Sequence, residues 1–245
     1  SYVDSVYAGD DLLIDKSSAS AAYNSRNVAD AATVSFADFA LSGGSAGNYE
    51  LSAQPENVSA TITKKTISVT GTAIKTKEYD GGVTAELDAA GTLADVVTVD
   101  GVRDDVSLQA GTVKFDSKNV GTQTVTVTGD FTLAGNDAGN YELTQPSNLT
   151  GTITVCPVTI SGTTVRETKE YDGNTNAYID NAGTVSPNYD GDNLTITTGS
   201  ANYNDKTVGN NKNVTFTGFA LGGSEASNYT LTAQPAATTA AITAK

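Results

Sequence analysis

Lysine and asparagine recur at positions where they could form a covalent cross-link. Lys77 and Lys169 lie 92 residues apart, and each is followed late in its segment by an asparagine, Asn140 or Asn228. An isopeptide bond requires both groups to be buried beside a carboxylic acid, because the lysine must be neutral to act as a nucleophile. The glutamates that directly follow the two lysines would point to the opposite face of a strand, which makes them poor catalysts for this reaction.

Oxygen-bearing side chains alternate at Asp172, Asn174 and Asn176 in a spacing that resembles a calcium loop. The corresponding stretch of the chain, residues 80–84, has fewer such oxygens. A second acidic spot recurs at residues 10–11, 104–105 and 190–192. We interpret all of these as turn-capping groups, with calcium binding as the alternative to be tested.

The chain contains no histidine. This excludes Ser-His-Asp and Cys-His catalysis and histidine-containing metal sites. No glycine-rich phosphate loop is present, and no pair of carboxylates stands out as a glycosidase pair. We therefore expect neither an enzyme nor a bound cofactor.

The same residues mark an internal repeat. The phrase Thr-Lys-Glu-Tyr-Asp-Gly occurs at residues 76–81 and 168–173. An Asn-Tyr pair, followed by a polar residue and leucine, occurs three times, at Asn48-Tyr49, Asn140-Tyr141 and Asn228-Tyr229. A period of about 90 residues indicates one folded unit copied in tandem.

The repeat predicts three domains, at residues 1–65, 66–156 and 157–245. The first copy is incomplete, since it has no Lys-Glu-Tyr-Asp-Gly segment and lacks its N-terminal strands. A β-domain without its first strands exposes unpaired backbone groups. Either Ser1 marks a boundary in a longer chain, or a neighbouring molecule supplies the missing strands.

We interpret the recurrent motifs as structural. Each Tyr-Asp-Gly should end a strand in a tight turn, with a buried tyrosine, an aspartate bonded to the turn backbone and a glycine at positive φ. Each Asn-Tyr should begin a strand, with the asparagine bonded to local backbone groups. The residues concerned, together with the motif lysines, are Lys77, Tyr79, Asp80, Gly81, Lys169, Tyr171, Asp172, Gly173, Asn48, Tyr49, Asn140, Tyr141, Asn228 and Tyr229.

Short alternating runs of valine, isoleucine and threonine predict half-buried strands, as at residues 66–70, 124–128 and 214–217. Asp-Gly pairs between the runs predict tight turns. No segment shows a helical stripe, so the fold class is all-β. We expect tandem immunoglobulin-like sandwiches of about 90 residues, with β-grasp-like repeats as the alternative.

The composition limits the partners. The net charge of −14 disfavours nucleic acid, and no stretch is apolar enough to span a membrane as a helix. Cys156 is the single cysteine, so no disulfide can form within the chain, and we interpret it as a small buried apolar residue.

The ordered motifs resemble a known family. Lys-Glu-Tyr-Asp-Gly, then Lys118-Asn119-Val120-Gly121, then Asn140-Tyr141 and finally residues 151–154 are similar to the YDG-type repeat of large bacterial surface proteins, and the third copy matches with Thr207-Val208-Gly209. The resemblance implies an extracellular structural or adhesive role on the bacterial cell surface and no catalysis.

We therefore expect a stalk or fibre segment of a bacterial extracellular adhesin or filament. It could polymerise by strand donation to the incomplete first repeat, with other copies of itself or neighbouring repeats as partners. The alternative is a surface module that binds carbohydrate or a host protein.

Overall fold

The computed structural model describes residues 6–245. Its secondary structure consists of strands and three single turns of 3-10 helix, and no α-helix occurs in the described residues. The prediction of an all-β fold in tandem repeats is confirmed. The strands form where β-branched residues alternate with other residues, as the sequence pattern predicted. The immunoglobulin-like topology of each repeat stays a prediction. No helix in residues 6–245 is long and apolar enough to cross a membrane.

The strands fall into three series that follow the sequence repeats. Those of repeat one are β1 (Leu13–Asp15), β2 (Ser20–Tyr23), β3 (Thr33–Ala37), β4 (Ala40–Ser42) and β5 (Val58–Ser59). Those of repeat two are β6 (Lys65–Thr70), β7 (Ala73–Ile74), β8 (Lys77–Glu78), β9 (Leu87–Ala89), β10 (Thr92–Ala94), β11 (Thr98–Val99), β12 (Val102–Arg103), β13 (Ser107–Gln109), β14 (Thr112–Phe115), β15 (Gly121–Gly129), β16 (Thr132–Ala134), β17 (Tyr141–Thr144) and β18 (Leu149–Thr154). Those of repeat three are β19 (Cys156–Ser161), β20 (Thr164–Val165), β21 (Thr168–Glu170), β22 (Asn176–Ala177), β23 (Ile179–Asn181), β24 (Thr184–Ser186), β25 (Thr195–Thr197), β26 (Ser200–Tyr203), β27 (Gly209–Thr217), β28 (Ala220–Gly222), β29 (Tyr229–Leu231) and β30 (Thr238–Thr243).

Each repeat contributes a sheet built around its longest strand, which we call the long-strand sheet. Its strand order is β2-β3-β5 in repeat one, β14-β15-β18-β8 in repeat two and β21-β30-β27-β26-β22 in repeat three. The Lys-Glu-Tyr-Asp-Gly strands β8 and β21 lie at sheet edges, each parallel to the last strand of its own repeat. Repeat one has no equivalent of this edge strand among its described residues.

Each repeat also contributes smaller sheets of two or three strands, which together we call the short-strand part. In repeat two it contains the sheet β10-β6-β17 and the pair β13-β16, and in repeat three it contains β24-β19-β29 and β25-β28. In repeat one it is the pair β1-β4. A 3-10 turn precedes each Asn-Tyr tyrosine, at Ala46–Asn48, Ala138–Asn140 and Ala226–Asn228.

The described chain folds into two compact units that are offset from the sequence repeats. Unit 1 contains the described residues up to Thr70 together with Thr92–Ala110 and Phe131–Gln145, and unit 2 contains Gly71–Gly91, Gly111–Asp130 and Pro146–Lys245. The short-strand part of repeat two therefore belongs to unit 1, with repeat one. Its long-strand sheet belongs to unit 2, with repeat three.

The cores reflect this offset. One apolar cluster of unit 2 combines Tyr79, Phe115 and Cys156 of repeat two with Val158 and Tyr229 of repeat three. Cys156 is a free, buried thiol in that cluster, which confirms its interpretation as a small apolar residue. A half from each of two successive repeats is thus needed to complete this cluster, whereas a second cluster, which includes Val214 and Phe216, lies within repeat three.

Candidate functional site

A buried carboxylate joins successive repeats within unit 2. The Asp192 side chain is fully inaccessible to solvent. Its Oδ2 accepts hydrogen bonds from the hydroxyls of Tyr79 at 2.7 Å and Tyr229 at 2.5 Å. Its Oδ1 lies 2.5 Å from the Lys118 ammonium. Tyr79, Lys118, Asp192 and Tyr229 form what we call the Asp192 cluster, to which repeats two and three each contribute two residues.

Local structure positions both tyrosines of the cluster. Tyr79 directly follows β8, and its amide donates to the Thr154 carbonyl at 2.9 Å, which extends the parallel pairing with β18. Tyr229 begins β29 directly after a 3-10 turn. The Tyr79 and Tyr229 rings pack edge to face, with centroids 5.2 Å apart and planes at 72°. Edge-to-face packing is a favourable geometry for aromatic pairs, so the rings hold their hydroxyls close to one carboxylate.

The cluster is electrostatically self-consistent. Burial opposes ionisation of Asp192, but the hydrogen bonds from Lys118, Tyr229 and Tyr79 outweigh it and hold the pKa of the carboxyl below its usual range. Burial and the bond to Asp192 raise the pKa of the Tyr229 phenol, and the same two causes raise the pKa of Tyr79. The carboxylate therefore stays charged while both phenols stay protonated donors.

A related cluster lies in unit 1 with one tyrosine where the Asp192 cluster has two. The Tyr141 hydroxyl donates to Asp104 Oδ2 at 2.5 Å, and Arg26 of repeat one donates to Asp104 Oδ1 at 2.9 Å. Arg26 also bonds to Asp137 at 2.7 Å. In the described residues, no second tyrosine reaches Asp104. We call Arg26, Asp104, Tyr141 and Asp137 the Asp104 cluster.

The Asn-Tyr asparagines also connect repeats. Asn228 Oδ1 accepts from the Val120 amide at 3.0 Å, and Asn140 Oδ1 accepts from the Val28 amide at 2.8 Å. Both backbone amides belong to the preceding repeat, so the expectation of local backbone partners is wrong for these two asparagines. Asn228 is 2% exposed. A buried amide must satisfy its polar atoms, and here the preceding repeat supplies the partners.

The Tyr-Asp-Gly turns form as expected. Gly81 and Gly173 have φ of 76° and 80°, and the aspartates before them accept backbone N–H bonds from Gly82 and Asn174. The prediction of a buried tyrosine is confirmed for Tyr79, which is 1% exposed, and is wrong for Tyr171, which is 38% exposed. Gly81 also lies against Tyr189, because a Cβ at position 81 would be 3.0 Å from the Tyr189 Cβ.

The motif lysines bind their own turns. The Lys169 ammonium contacts Asn174 Oδ1 at 3.0 Å, the Asn176 carbonyl at 2.9 Å and Asp172 Oδ1 at 2.8 Å. Lys77 likewise bonds Asp80 Oδ1 at 2.7 Å.

These contacts bear on two chemical hypotheses. The structure does not bring Lys169 to Asn228, whose side chain bonds Val120 and Asn119 instead. The oxygens in the calcium-like spacing already face the Lys169 ammonium, so a calcium ion would have to displace it. No group of three or more acidic, cysteine or histidine side chains in residues 6–245 is arranged to hold a metal ion.

Sequence reasoning assigned turn capping to the recurrent acidic spot and missed its main role. Capping does occur at Asp105, which accepts the Asn136 amide at 3.0 Å. Asp104 and Asp192 instead bind tyrosine hydroxyls, and so does Asp10, which accepts from Tyr49. The sequence spacing could have revealed this aspartate–tyrosine pairing, because both Asp104 and Asp192 precede their tyrosine by 37 residues.

Comparison with protein families agrees with this repeat structure. The YDG domain model matches residues 1–56, 63–148 and 154–239 in tandem. The chain belongs to the YDG domain family. This confirms the resemblance drawn from the motifs. No curated protein and no solved structure matches the chain.

The two YDG tyrosines provide a matched pair of variants. We expect Tyr79→Phe to lower the free energy of unfolding of unit 2 by about 1 kcal/mol, because it removes one hydrogen bond to a buried carboxylate. Tyr171→Phe should change it by less than about 0.5 kcal/mol, since Tyr171 is partly exposed at the same motif position. Urea denaturation followed by tyrosine fluorescence measures both, and equal effects would contradict the role of the Asp192 cluster.

The Asp192 cluster of this YDG protein should also make stability depend on pH. A carboxyl group with a lowered pKa in the folded state stabilises folding above its unfolded pKa, and this contribution is lost as pH falls through the folded pKa. Below about pH 4, we therefore expect hydrogen exchange in β15 and β27 to accelerate. The raised pKa values of Tyr79 and Tyr229 predict a second loss as pH rises above their ordinary value of 10.0. Asp192→Asn should reduce the loss of stability at low pH. Asp190→Asn, at an exposed neighbouring position, should leave this loss unchanged.

Proposed function

We propose that the chain is a structural segment of a bacterial extracellular stalk or fibre, such as an adhesin or a filament of the cell surface. The observation that supports this most directly is the Asp192 cluster. Its tyrosines come from both recurrent motifs, and they share one buried carboxylate across a repeat boundary. Fully satisfied buried polar networks make the packing around them rigid and specific. The motifs thus join repeats to each other, as an array that transmits tension requires.

Neighbouring YDG repeats are the partners that fit this proposal. Tyr171, Lys206 and Val208 of repeat three occupy the positions that Tyr79, Lys118 and Val120 occupy in repeat two, and all three are exposed. In repeat one, Tyr7 is 78% exposed beside the Tyr49–Asp10 pair. Each surface is half of an interface that is buried between repeats elsewhere in the chain. The net charge of −14 would oppose nonspecific aggregation of such an array.

Force spectroscopy on the full chain, tethered at both termini, tests the mechanical role. We expect discrete unfolding events, and we expect Asp192→Ala to lower the rupture force of one of them, while Asp190→Ala leaves it unchanged. Rupture forces that do not respond to Asp192→Ala would contradict the mechanical role. Antibody labelling of intact cells tests the location, and labelling confined to the cell interior would contradict it.

Strand donation is a variant of this proposal. In it, another molecule supplies the strands that repeat one lacks, and copies polymerise. Light scattering at high protein concentration tests the variant, because a strictly monomeric chain would contradict it.

One surface feature favours the second candidate function, a carbohydrate-binding module. Tyr178 is 56% exposed and lines a surface cavity of about 430 Å³ with Asn176, Ser200 and Asn202. The Arg166 guanidinium lies 5.0 Å from the Tyr178 ring centroid. An exposed aromatic face beside amide and hydroxyl groups suits the packing of a sugar ring. A glycan array comparing the wild type with Tyr178→Ala tests this, and an array without hits would argue against it.

A further inference from the structure

In repeats two and three, the Lys-Glu-Tyr-Asp-Gly strand pairs with the last strand of its repeat through the same hydrogen bonds. The Tyr79 amide donates to the Thr154 carbonyl, and the Tyr171 amide donates to the Thr243 carbonyl, both at 2.9 Å. The hydroxyls of these threonines donate to the carbonyls of Lys77 and Lys169, both at 3.3 Å. The register is therefore a property of the repeat, set by its final Ile-Thr pair.

Repeat one has the receiving edge without the strand. Its final Ile-Thr pair is Ile62-Thr63. Within residues 6–245, no strand pairs with these two residues. Ile62 is only half-buried, whereas its equivalents Ile153 and Ile242 are each 1% exposed. The absence of a neighbouring edge strand explains why Ile62 is less buried, since β8 and β21 pair beside Ile153 and Ile242.

A groove lies beside this edge within unit 1. It has a volume of about 210 Å³, and its lining includes Val28, Ile62, Thr63, Val97, Asp104 and Tyr141. A cavity of about 150 Å³ with apolar walls is large enough to hold a benzene ring. We call this cavity the unit 1 groove.

The lining of the unit 1 groove corresponds to the surroundings of Tyr79 in unit 2. Tyr141 and Asp104 match Tyr229 and Asp192, which contact the Tyr79 ring and hydroxyl. Val97 matches Tyr189, since the amide of each donates to the hydroxyl of the matched tyrosine. Arg26 matches Lys118, whose ammonium lies 6.0 Å from the Tyr79 ring centroid. The four residues named here that surround Tyr79 in unit 2 thus each have a counterpart around the groove.

We propose that the unit 1 groove binds an extended polypeptide segment of the Thr-Lys-Glu-Tyr-Asp-Gly type. The segment adds as a parallel strand beside Ile62-Thr63, with its tyrosine ring on Tyr141 and its hydroxyl donating to Asp104 Oδ2. Its glycine passes close to Val97, as Gly81 passes close to Tyr189. The segment is identified by this chain itself, in which the same six residues fill the same place one repeat later. The inference rests on the proposed function in one respect, that this interface is where repeats meet.

The chemistry of the groove favours a tyrosine over other anchors. Asp104 already accepts from Tyr141 and Arg26, yet its side chain remains 12% exposed, whereas Asp192 with its second tyrosine is fully buried. A carboxylate has capacity for about four hydrogen bonds. A phenol provides both the donor for this oxygen and a ring for the apolar walls, and main-chain pairing supplies affinity in strand addition.

Titration of the full chain with a synthetic peptide tests this inference. The probe is Lys-Thr-Lys-Glu-Tyr-Asp-Gly-Gly, the sequence of residues 75–82, and binding is measured by calorimetry. We expect saturable binding at one site per chain. A peptide with Tyr79→Phe should bind several-fold more weakly, and one with Tyr79→Ala should bind at least about tenfold more weakly. In a separate peptide, benzoylphenylalanine in place of the tyrosine should crosslink to the groove residues Val28, Ile62 or Tyr141.

Two protein variants form the matched comparison. Ile62→Arg places a long charged side chain in the groove and should abolish peptide binding. Val58→Arg adds the same charge at a 49% exposed position of β5 and should leave binding unchanged. Absence of saturable binding, equal binding of the Tyr79→Ala peptide, or crosslinks outside unit 1 would each overturn the inference. These outcomes leave the force measurement on Asp192→Ala unaffected, so the inference and the proposed function can fail separately.

Discussion

Asp192→Ala should lower the free energy of unfolding of unit 2 by about 3 kcal/mol. The substitution leaves two tyrosine hydroxyls without their shared acceptor and the Lys118 ammonium without its counter-ion. Each stranded buried polar group adds its desolvation cost to the loss of the bonds. Chemical denaturation measures the total, and hydrogen exchange in β15 and β27 locates it in unit 2.

Two further variants make this result specific. Asp190→Ala, two residues away at an exposed position, should cost less than about 0.5 kcal/mol. Asp104→Ala should cost less than Asp192→Ala, because its cluster has one tyrosine and its cation, Arg26, has a side chain that is 63% exposed. If Asp104→Ala and Asp192→Ala were equally damaging, the second tyrosine would have no role in stability.

Gly223→Ala should destabilise unit 2 by about 3 kcal/mol, for a different reason. Gly223 has φ of 97°, and a Cβ there would lie 2.0 Å from the carbonyl oxygen of Asn193, the residue after Asp192. Neither the backbone strain nor the collision can be relieved by a side-chain rotation. Denaturation measures the change, and faster hydrogen exchange in β28 would locate it.

Gly191→Ala separates the effect of backbone strain from the effect of the steric collision. Gly191 also has positive φ, at 86°, but a Cβ there would meet no atom within 4 Å. This variant should cost only the backbone term, about 1–2 kcal/mol. The close approach recurs at Gly43 and Gly135, where a Cβ would lie 2.4 and 2.3 Å from the carbonyl oxygens of Asp11 and Asp105. Comparable costs for Gly223→Ala and Gly191→Ala would show that the collision contributes nothing.

Local features of the fold were predictable from the sequence. Threonine and valine alternate through residues 124–128, and these residues lie in β15. Asp-Gly pairs predicted tight turns, and Gly81, Gly101, Gly173 and Gly191 all have positive φ. Such features depend on a few neighbouring residues, so a single sequence is sufficient to find them.

The partners of the motif residues were not predictable in the same way. Tyr79 bonds Asp192, which is 113 residues later, and Asn228 bonds Val120, which is 108 residues earlier. When a unit is copied, each surface has several near-identical candidate partners, in its own copy and in the adjacent ones. The amino-acid pattern is the same in every case, and only the three-dimensional packing selects the pairing across the repeat boundary.

The offset between sequence repeats and compact units has a consequence for dissecting the molecule. A fragment that begins at residue 146 would carry most of unit 2 but would lack Gly71–Gly91 and Gly111–Asp130. It would lose Tyr79 and Lys118, and Asp192 would keep one of its three partners. A single proteolytic cut in a loop of repeat two would likewise affect both units, because the segments of this repeat alternate between them. A gene fragment trimmed to one repeat should therefore leave the core around Tyr79 and Tyr229 incomplete, and expression trials need two consecutive copies to include it.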